Sequence, residues 1–263
     1  MKTYLNYLII SLFLLFLNSC DKENSVQPNI KLVKVTGETY GGFSLTGKNF
    51  LLATNPYGGI ILDGSWEKDT VKTYLYKTIK AESKAVGLAR LEDIKVTSET
   101  VIDTITTKIK GPQFTDEFSF VCSFSLSVPY DLPCKISYAE GGVATSDLDQ
   151  SLMVLGSNSN SEVIRHSRSC KIITTQGNIK AEVALPDSGF CHLITGLGDI
   201  TLSIPDTTSC TIQAIFQNGE FAYQGFEFAE ESKTATEFTA TIGTGLNPIF
   251  LESKKGNITI IGF

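Results

Sequence analysis

The residues of this sequence that could do chemistry are few: two histidines, six cysteines, one tryptophan and one basic cluster. His166 sits in Arg165-His166-Ser167-Arg168, whose donors could hold an anion such as a sugar carboxylate or a phosphate. The same residues also read, more simply, as a solvated turn. His192 falls between Cys191 and Leu193 in an alternating segment, which predicts that it faces outward. Cys191-His192 could begin a thiolate metal site, but no second Cys/His pair stands at zinc spacing. Asp147 and Asp149, with Asn158 and Asn160 nearby, match neither an EF-hand loop nor a calcium nonapeptide, so they read as a solvated loop. Trp66, in Asp63-Gly64-Ser65-Trp66, could stack on a sugar face or pack against the flank of the fold. No nucleophile elbow, His-Glu-x-x-His, P-loop or dinucleotide fingerprint appears. The sequence therefore predicts no catalytic residue, no metal and no cofactor. Trp66, Arg165, His166 and Arg168 are its candidate ligand contacts.

The most specific chemistry lies at the front. Lys2 precedes an apolar run from Leu5 to Leu17, too short and one-sided for a stable membrane span and laid out as a secretory signal. The run ends Leu17-Asn18-Ser19-Cys20, which resembles the bacterial lipobox, where cleavage leaves the cysteine as a lipid-modified N-terminus. Residues 1–19 are thus expected to be a signal peptide and Cys20 the lipidation site. Polar residues with a proline make 20–32 a flexible tether. Two or three acyl chains on Cys20 would anchor it firmly, since each buried methylene contributes roughly 0.8 kcal/mol.

Removing Lys2 with the leader leaves 21 basic against 28 acidic residues. Nucleic acid is excluded as a partner, because its affinity rests on neutralising phosphates with Lys and Arg. Cys122, Cys134, Cys170, Cys191 and Cys210 remain beyond Cys20, an odd set in an exported setting that permits disulfides. Cys134, Cys170 and Cys191 share a register and would stack, but their Cβ vectors run parallel, which suits buried thiols better than a bridge.

The elements that must position these residues show themselves as a repeat. Gly177-Asn178-Ile179, Gly198-Asp199-Ile200, Gly219-Glu220-Phe221 and Gly256-Asn257-Ile258 share one form, with Gly141-Gly142-Val143 as a looser copy. Intervals of 21 and 21 residues are flanked by 36 and 37. Apolar residues recur seven and five positions before each glycine and two and four after it, a period of two on both sides of a turn. Repetition in one sense favours a solenoid, in which equivalent residues stack into ladders, over a hairpin-built sandwich. Residues 118–128 alternate as a strand, and 71–76 and 101–109 read likewise. Gly41-Gly42-Phe43 and Gly58-Gly59-Ile60 resemble degenerate turns, with Phe43, Leu45, Leu52, Ile60 and Leu62 as core. Ala81, Ala85, Leu88 and Ala89 predict a helix near 79–92 that covers an open edge of the stack. The expected fold is an all-β, right-handed β-solenoid with one short helix, as a single domain over 33–263. Residues 33–116 would form N-terminal coils carrying the helix, and 117–263 the repeat region.

With the glycine units at 177–179, 198–200 and 256–258, Gly243-Thr244-Gly245, and a strand–helix–strand segment before the repeats, the chain resembles the putative adhesin family of bacterial domains of unknown function. It is similar too to the related auto-transporter adhesin head GIN domain. That resemblance would span roughly 30–263 and implies a β-helix borne by a lipoprotein, with no catalytic residues to carry over. The leading expectation is a lipid-anchored envelope protein, on the outer membrane or cell surface, with a non-catalytic adhesin-like or structural role. Its partners would be the membrane, through Cys20, and an envelope protein or glycan. The alternatives are a periplasmic sensor or accessory lipoprotein, and a polysaccharide-active β-helix enzyme, which would need paired carboxylates converging on one face.

Overall fold

Alternation of buried and exposed side chains, repeated along almost every segment, makes this a molecule of strands. The computed structural model describes residues 32–113, 118–138, 141–158 and 160–263. Cys20, the leader and nearly all of the tether lie outside the described residues, as does the 116/117 boundary. The first third holds β1 (Val33–Ser44), β2 (Phe50–Asn55), β3 (Ile60–Ser65), β4 (Thr70–Ala81), α1 (Lys84–Leu91), β5 (Lys95–Val101) and β6 (Thr104–Lys110). The middle holds β7 (Phe118–Pro129), β8 (Cys134–Tyr138), β9 (Val143–Ser146), β10 (Leu152–Asn158), β11 (Ser161–His166), β12 (Cys170–Gln176) and β13 (Ile179–Val183). The last third holds β14 (Cys191–Leu197), β15 (Ile200–Ile204), β16 (Cys210–Phe216), β17 (Phe221–Gln224), β18 (Glu230–Lys233), β19 (Glu237–Ile242), β20 (Asn247–Lys255) and β21 (Ile258–Gly262).

The strands form two sheets, in the orders β1-β4-β7-β3-β9-β11-β13-β15-β21-β17 and β18-β19-β16-β20-β14-β12-β10-β8-β2-β6-β5. Each coil lays one strand in the second sheet, turns, and lays the next in the first, so like residues stack in parallel register. One ladder runs Leu51, Cys134, Leu152, Cys170, Cys191, Ile249, Ile212. Across the core another runs Ile60, Val143, Ser161, Ile179, Ile200, Ile258, Phe221. All of these are buried, and each large apolar side chain so placed contributes about 1.5–3 kcal/mol.

The polar residue just before each of these first-sheet strands has its own task. Asn160, Asn178, Asp199 and Asn257 each accept, through a side-chain oxygen, the backbone N–H one coil on, at 2.7–2.9 Å, ending at Glu220. Inside the turn, hydroxyls of Thr195 and Ser253 donate to the carbonyls of Gly177 and Gly198 at 2.9 and 2.8 Å. Backbone groups that strand pairing leaves open at the turn thus find partners.

Four expectations change. First, the coils are not stacked in chain order: β20 and β21 lie between β14/β15 and β16/β17, so Gly256 follows Gly198 in the column and Gly219 comes after it. The hairpin β18–β19 occupies the 37-residue interval and pairs antiparallel with β16. Second, the 36-residue interval hides an extra coil, β10 and β11, whose turn lacks the glycine. Third, Gly41 and Gly42 lie within β1, paired antiparallel with β4, and Leu51 rather than Leu52 is core. Fourth, Thr78–Ala81 complete β4, because Val71, Leu75, Ile79 and Ala81 form one inward period-two stripe, and the helix begins only after Ser83 caps it. Leu88 is 49% exposed; Gly87 and Leu91 are the buried residues. A Cβ on Gly87 would stand 2.6 Å from Val35 Cγ2, so the glycine lets the helix lie against β1. Buried Lys77 donates to the carbonyls of Leu91 and Ile94 at 2.9 and 3.1 Å, closing the helix end.

Candidate functional site

Equivalent positions at the ends of β3, β9 and β11 fall side by side, and there the regular coil is broken. Gly64 sits so close that a Cβ would meet the Asp147 carbonyl oxygen at 1.8 Å. Asp147 and Arg165 both have left-handed backbone, at φ 58° and 51°, and the register of β11 shifts between Val163 and His166. Such a bulge re-aims side chains outward. Arg165 Nε and Nη2 donate to the two carboxylate oxygens of Asp147, both at 2.6 Å. Those hydrogen bonds hold the Asp147 carboxyl below the usual carboxylate range, against a smaller opposing effect of burial. Two residues on, Asp149 accepts from Ser167 Oγ at 2.7 Å and from Arg168 Nε at 3.1 Å.

In the same cleft stands Trp66, directly after β3 and 84% exposed, its ring centroid 4.7 Å from that of Tyr130 and tilted by 54°. Tyr130 is half-buried and donates its backbone N–H to the Ser65 carbonyl at 2.9 Å. Trp66, Tyr130, Asp147, Asp149, Arg165 and Ser167 line one cleft of about 390 Å³. The structure thus brings together two of the candidate contacts, Trp66 and Arg165, with the acidic pair that the sequence assigned to a separate loop. Trp66 leans on Tyr130 and leaves most of its surface in solvent rather than packing flat on the flank.

His166 departs from the solvated turn. It is 1% exposed, and Nε2 lies 3.1 Å from the Ser169 carbonyl, which makes that nitrogen the donor; Nδ1 is buried with no hydrogen-bond partner. Burial pulls its pKa below the usual value. The bulge turns Arg165 outward and His166 inward. Arg168 faces out, but on Asp149.

Residues 77–261 match the family model described as Toastrack DUF4097. The chain belongs to that family. Among solved structures, a putative cell adhesion protein from Clostridium sporogenes is similar at a TM-score of 0.50 and 12% identity, over 87% of this chain and 100% of that one. A putative adhesin from Bacteroides fragilis is similar at a TM-score of 0.36 and 12% identity, over 86% and 97%. At such identities the likeness is one of fold. No curated protein matches this sequence.

In this Toastrack chain, Tyr130, Asp147, Asp149 and Arg165 lie within the matched residues, and Trp66 lies before them. A second, wider cavity of about 640 Å³ opens on the outer face of the other sheet, between β18–β19 and the row holding His192 and Phe250. His192 faces outward as expected, but its ring stands 5.0 Å from that of Phe190 and 6.1 Å from that of Phe250. Burial and then Lys171 lower its pKa. The five described cysteines are free and buried; Leu152 separates Cys134 from Cys170, while Cys170 and Cys191 are neighbours. Among the described residues no group of three or more His, Cys, Asp or Glu side chains could hold a metal ion, and no helix is long and apolar enough to cross a membrane.

Tyr130 and the Asp–Arg pairing escaped the sequence. One signal could have found the pairing: Asp147 to Arg165, Asp149 to Ser167 and Glu162 to Lys180 are each 18 residues apart, the length of the hidden coil.

Proposed function

We propose that this chain is a lipid-anchored protein of the bacterial envelope that binds an external partner without transforming it, in an adhesin-like role. The observation that carries the reading is Trp66, exposed in the same cleft as two carboxylates already committed to guanidinium groups. A general acid or base needs a carboxyl free to exchange its proton near neutral pH; Asp147 is held ionised and occupied. An exposed aromatic ring on a rigid frame instead supplies contact area at small entropic loss, which suits recognition. The lipobox at Cys20 supports the anchor, and the following polar residues would let the coil stand off the membrane, at the outer membrane or cell surface.

Two variants test the proposal in the native bacterium. Cys20→Ala should release the mature body from the membrane fraction and abolish acyl labelling; retention in membranes without label would reject the anchor. Trp66→Ala should leave amount and location unchanged while lowering adhesion of cells to their substratum. Adhesion at the wild-type level would reject the cleft as the binding face. Protease applied to intact cells should degrade the wild-type chain if it is displayed at the surface.

A further inference from the structure

We infer that the Trp66 cleft takes a neutral sugar ring, so that the ligand is a glycan of uncharged pyranose units. This rests on the binding role proposed above and deepens it.

The first support is backbone strain. Among the described residues four that are not glycine have positive φ, and two of them, Asp147 and Arg165, grip each other in this cleft. Both side chains are substantially exposed, and an exposed ion pair adds little to stability. The fold therefore holds two unfavourable backbone conformations for an arrangement that stabilises it little, the pattern seen where a site must be preorganised.

Charge decides the class of ligand. Within the cleft Asp147 is closed by Arg165, and Asp149 is bonded by Arg168 from outside the lining, so none of the three charged side chains that line it stands unpaired. An anion would have to displace a carboxylate from a bidentate guanidinium, and a cation would have to displace the guanidinium. A hydroxyl displaces neither. It donates to a lone pair that the carboxylates still have, and accepts from a guanidinium N–H turned away from the pair.

Shape then selects among neutral ligands. A pyranose carries C–H groups on its faces and hydroxyls around its rim. The slightly positive C–H groups suit the negative face of the Trp66 ring, and the hydroxyls reach the paired charges beside it. A cleft of about 390 Å³ lies within the small-ligand range, which is roughly 300–1,000 Å³. An extended peptide is less well served: β3 is hydrogen-bonded on both sides, to β7 and β9, so no sheet edge is open for an added strand.

The test uses the fact that Trp66 is the single tryptophan, so its emission reports this cleft alone. The full chain in detergent is titrated with maltotetraose, cellotetraose, mannotetraose and chitotetraose, and with tetragalacturonate as the acidic control. At least one neutral tetrasaccharide should shift the emission saturably, and tetragalacturonate should not. By calorimetry, Trp66→Ala should bind that sugar at least about tenfold more weakly with an unchanged melting temperature, and Trp66→Phe should recover part of the affinity. Failure of every neutral sugar, equal binding of tetragalacturonate, or unaltered affinity in Trp66→Ala would each overturn the inference. If no sugar binds but Trp66→Ala cells still lose adhesion, the binding role stands and the sugar alone is rejected. If adhesion is also unchanged, both fall.

Discussion

At the scale of single residues, the buried titratable groups set opposite pH limits. Neutral His166 donates through Nε2 to the Ser169 carbonyl, and its unpartnered Nδ1 would bury a second donor if protonated. Its pKa lies below the ordinary 6.5, because burial disfavours the charged ring. The unfolded chain therefore takes up a proton first, and stability falls as pH drops below about 6.5 toward the lowered folded value. Urea midpoints should decline between pH 7 and pH 5 in the wild type, and less steeply in His166→Leu; parallel slopes would show that His166 carries none of the effect. His192, also lowered, leaves a residual slope. Asp147 acts in a lower window, its contribution being lost only as pH falls below the ordinary carboxylate value of 3.8. The thiols act at the alkaline end. Burial pushes Cys122, Cys134, Cys170 and Cys210 from 9.0 up to about 12. Their contribution is complete below pH 9 and lost as pH rises through the folded value. The same burial should keep the five described thiols silent to a thiol reagent at pH 8 until the chain unfolds. Reaction of native protein would contradict their packing.

At the scale of elements, the turn glycines matter by position. A Cβ on Gly198 would stand 2.2 Å from the Gly177 carbonyl oxygen, at φ 147°. Gly47 also has positive φ, at 69°, but nothing lies within 4 Å of its Cβ direction. Gly47→Ala should therefore lose about 1 kcal/mol, from backbone strain alone. Gly198→Ala must also push two coils apart and should lose more than about 3 kcal/mol. Equal losses in chemical denaturation would refute close stacking of the turns. The same column marks what the sequence made legible. Positions seven and five before the glycine and two and four after it are the core, save Tyr223, four after Gly219 and 40% exposed, and by that rule Leu51, seven before Gly58, could have been chosen over Leu52. The coil of β10 and β11 was hidden because the sequence between these strands has no glycine and Ser161 replaces the usual large apolar residue. With it went the 18-residue offsets that align Asp147 with Arg165. The helix was drawn too long because Ala81 extends the spacing of Ala85, Leu88 and Ala89, whereas the strand pairing of Thr78–Ala81 with β1 and β7 is set by distant partners.

At the scale of the whole molecule, chain order and coil order part company near the end of the sequence. A plain solenoid adds coils in succession, so removing the last one exposes the coil before it and leaves the rest standing. Here β20 pairs with β14 on one side and β16 on the other, and β21 sits likewise between β15 and β17. Leu251 and Ile260, both fully buried, lie in those inserted strands. Deleting residues 247–263 would strip β17 of its partner β21 and β16 of its inner partner β20, and open a gap through both layers of the core at once. Strands β20 and β21 must also enter between coils built from earlier parts of the chain, over long sequence separations, which slows folding. The deletion should therefore abolish cooperative unfolding of β14 to β19 rather than trim one coil. Amide exchange would show Cys210–Phe216 losing protection while Leu152–Asn158 keeps much of its own. If Cys210–Phe216 stayed protected in the truncated chain, the ends of β14 and β16 would have to meet without the inserted strand, and the interleaved order of the coils would be wrong.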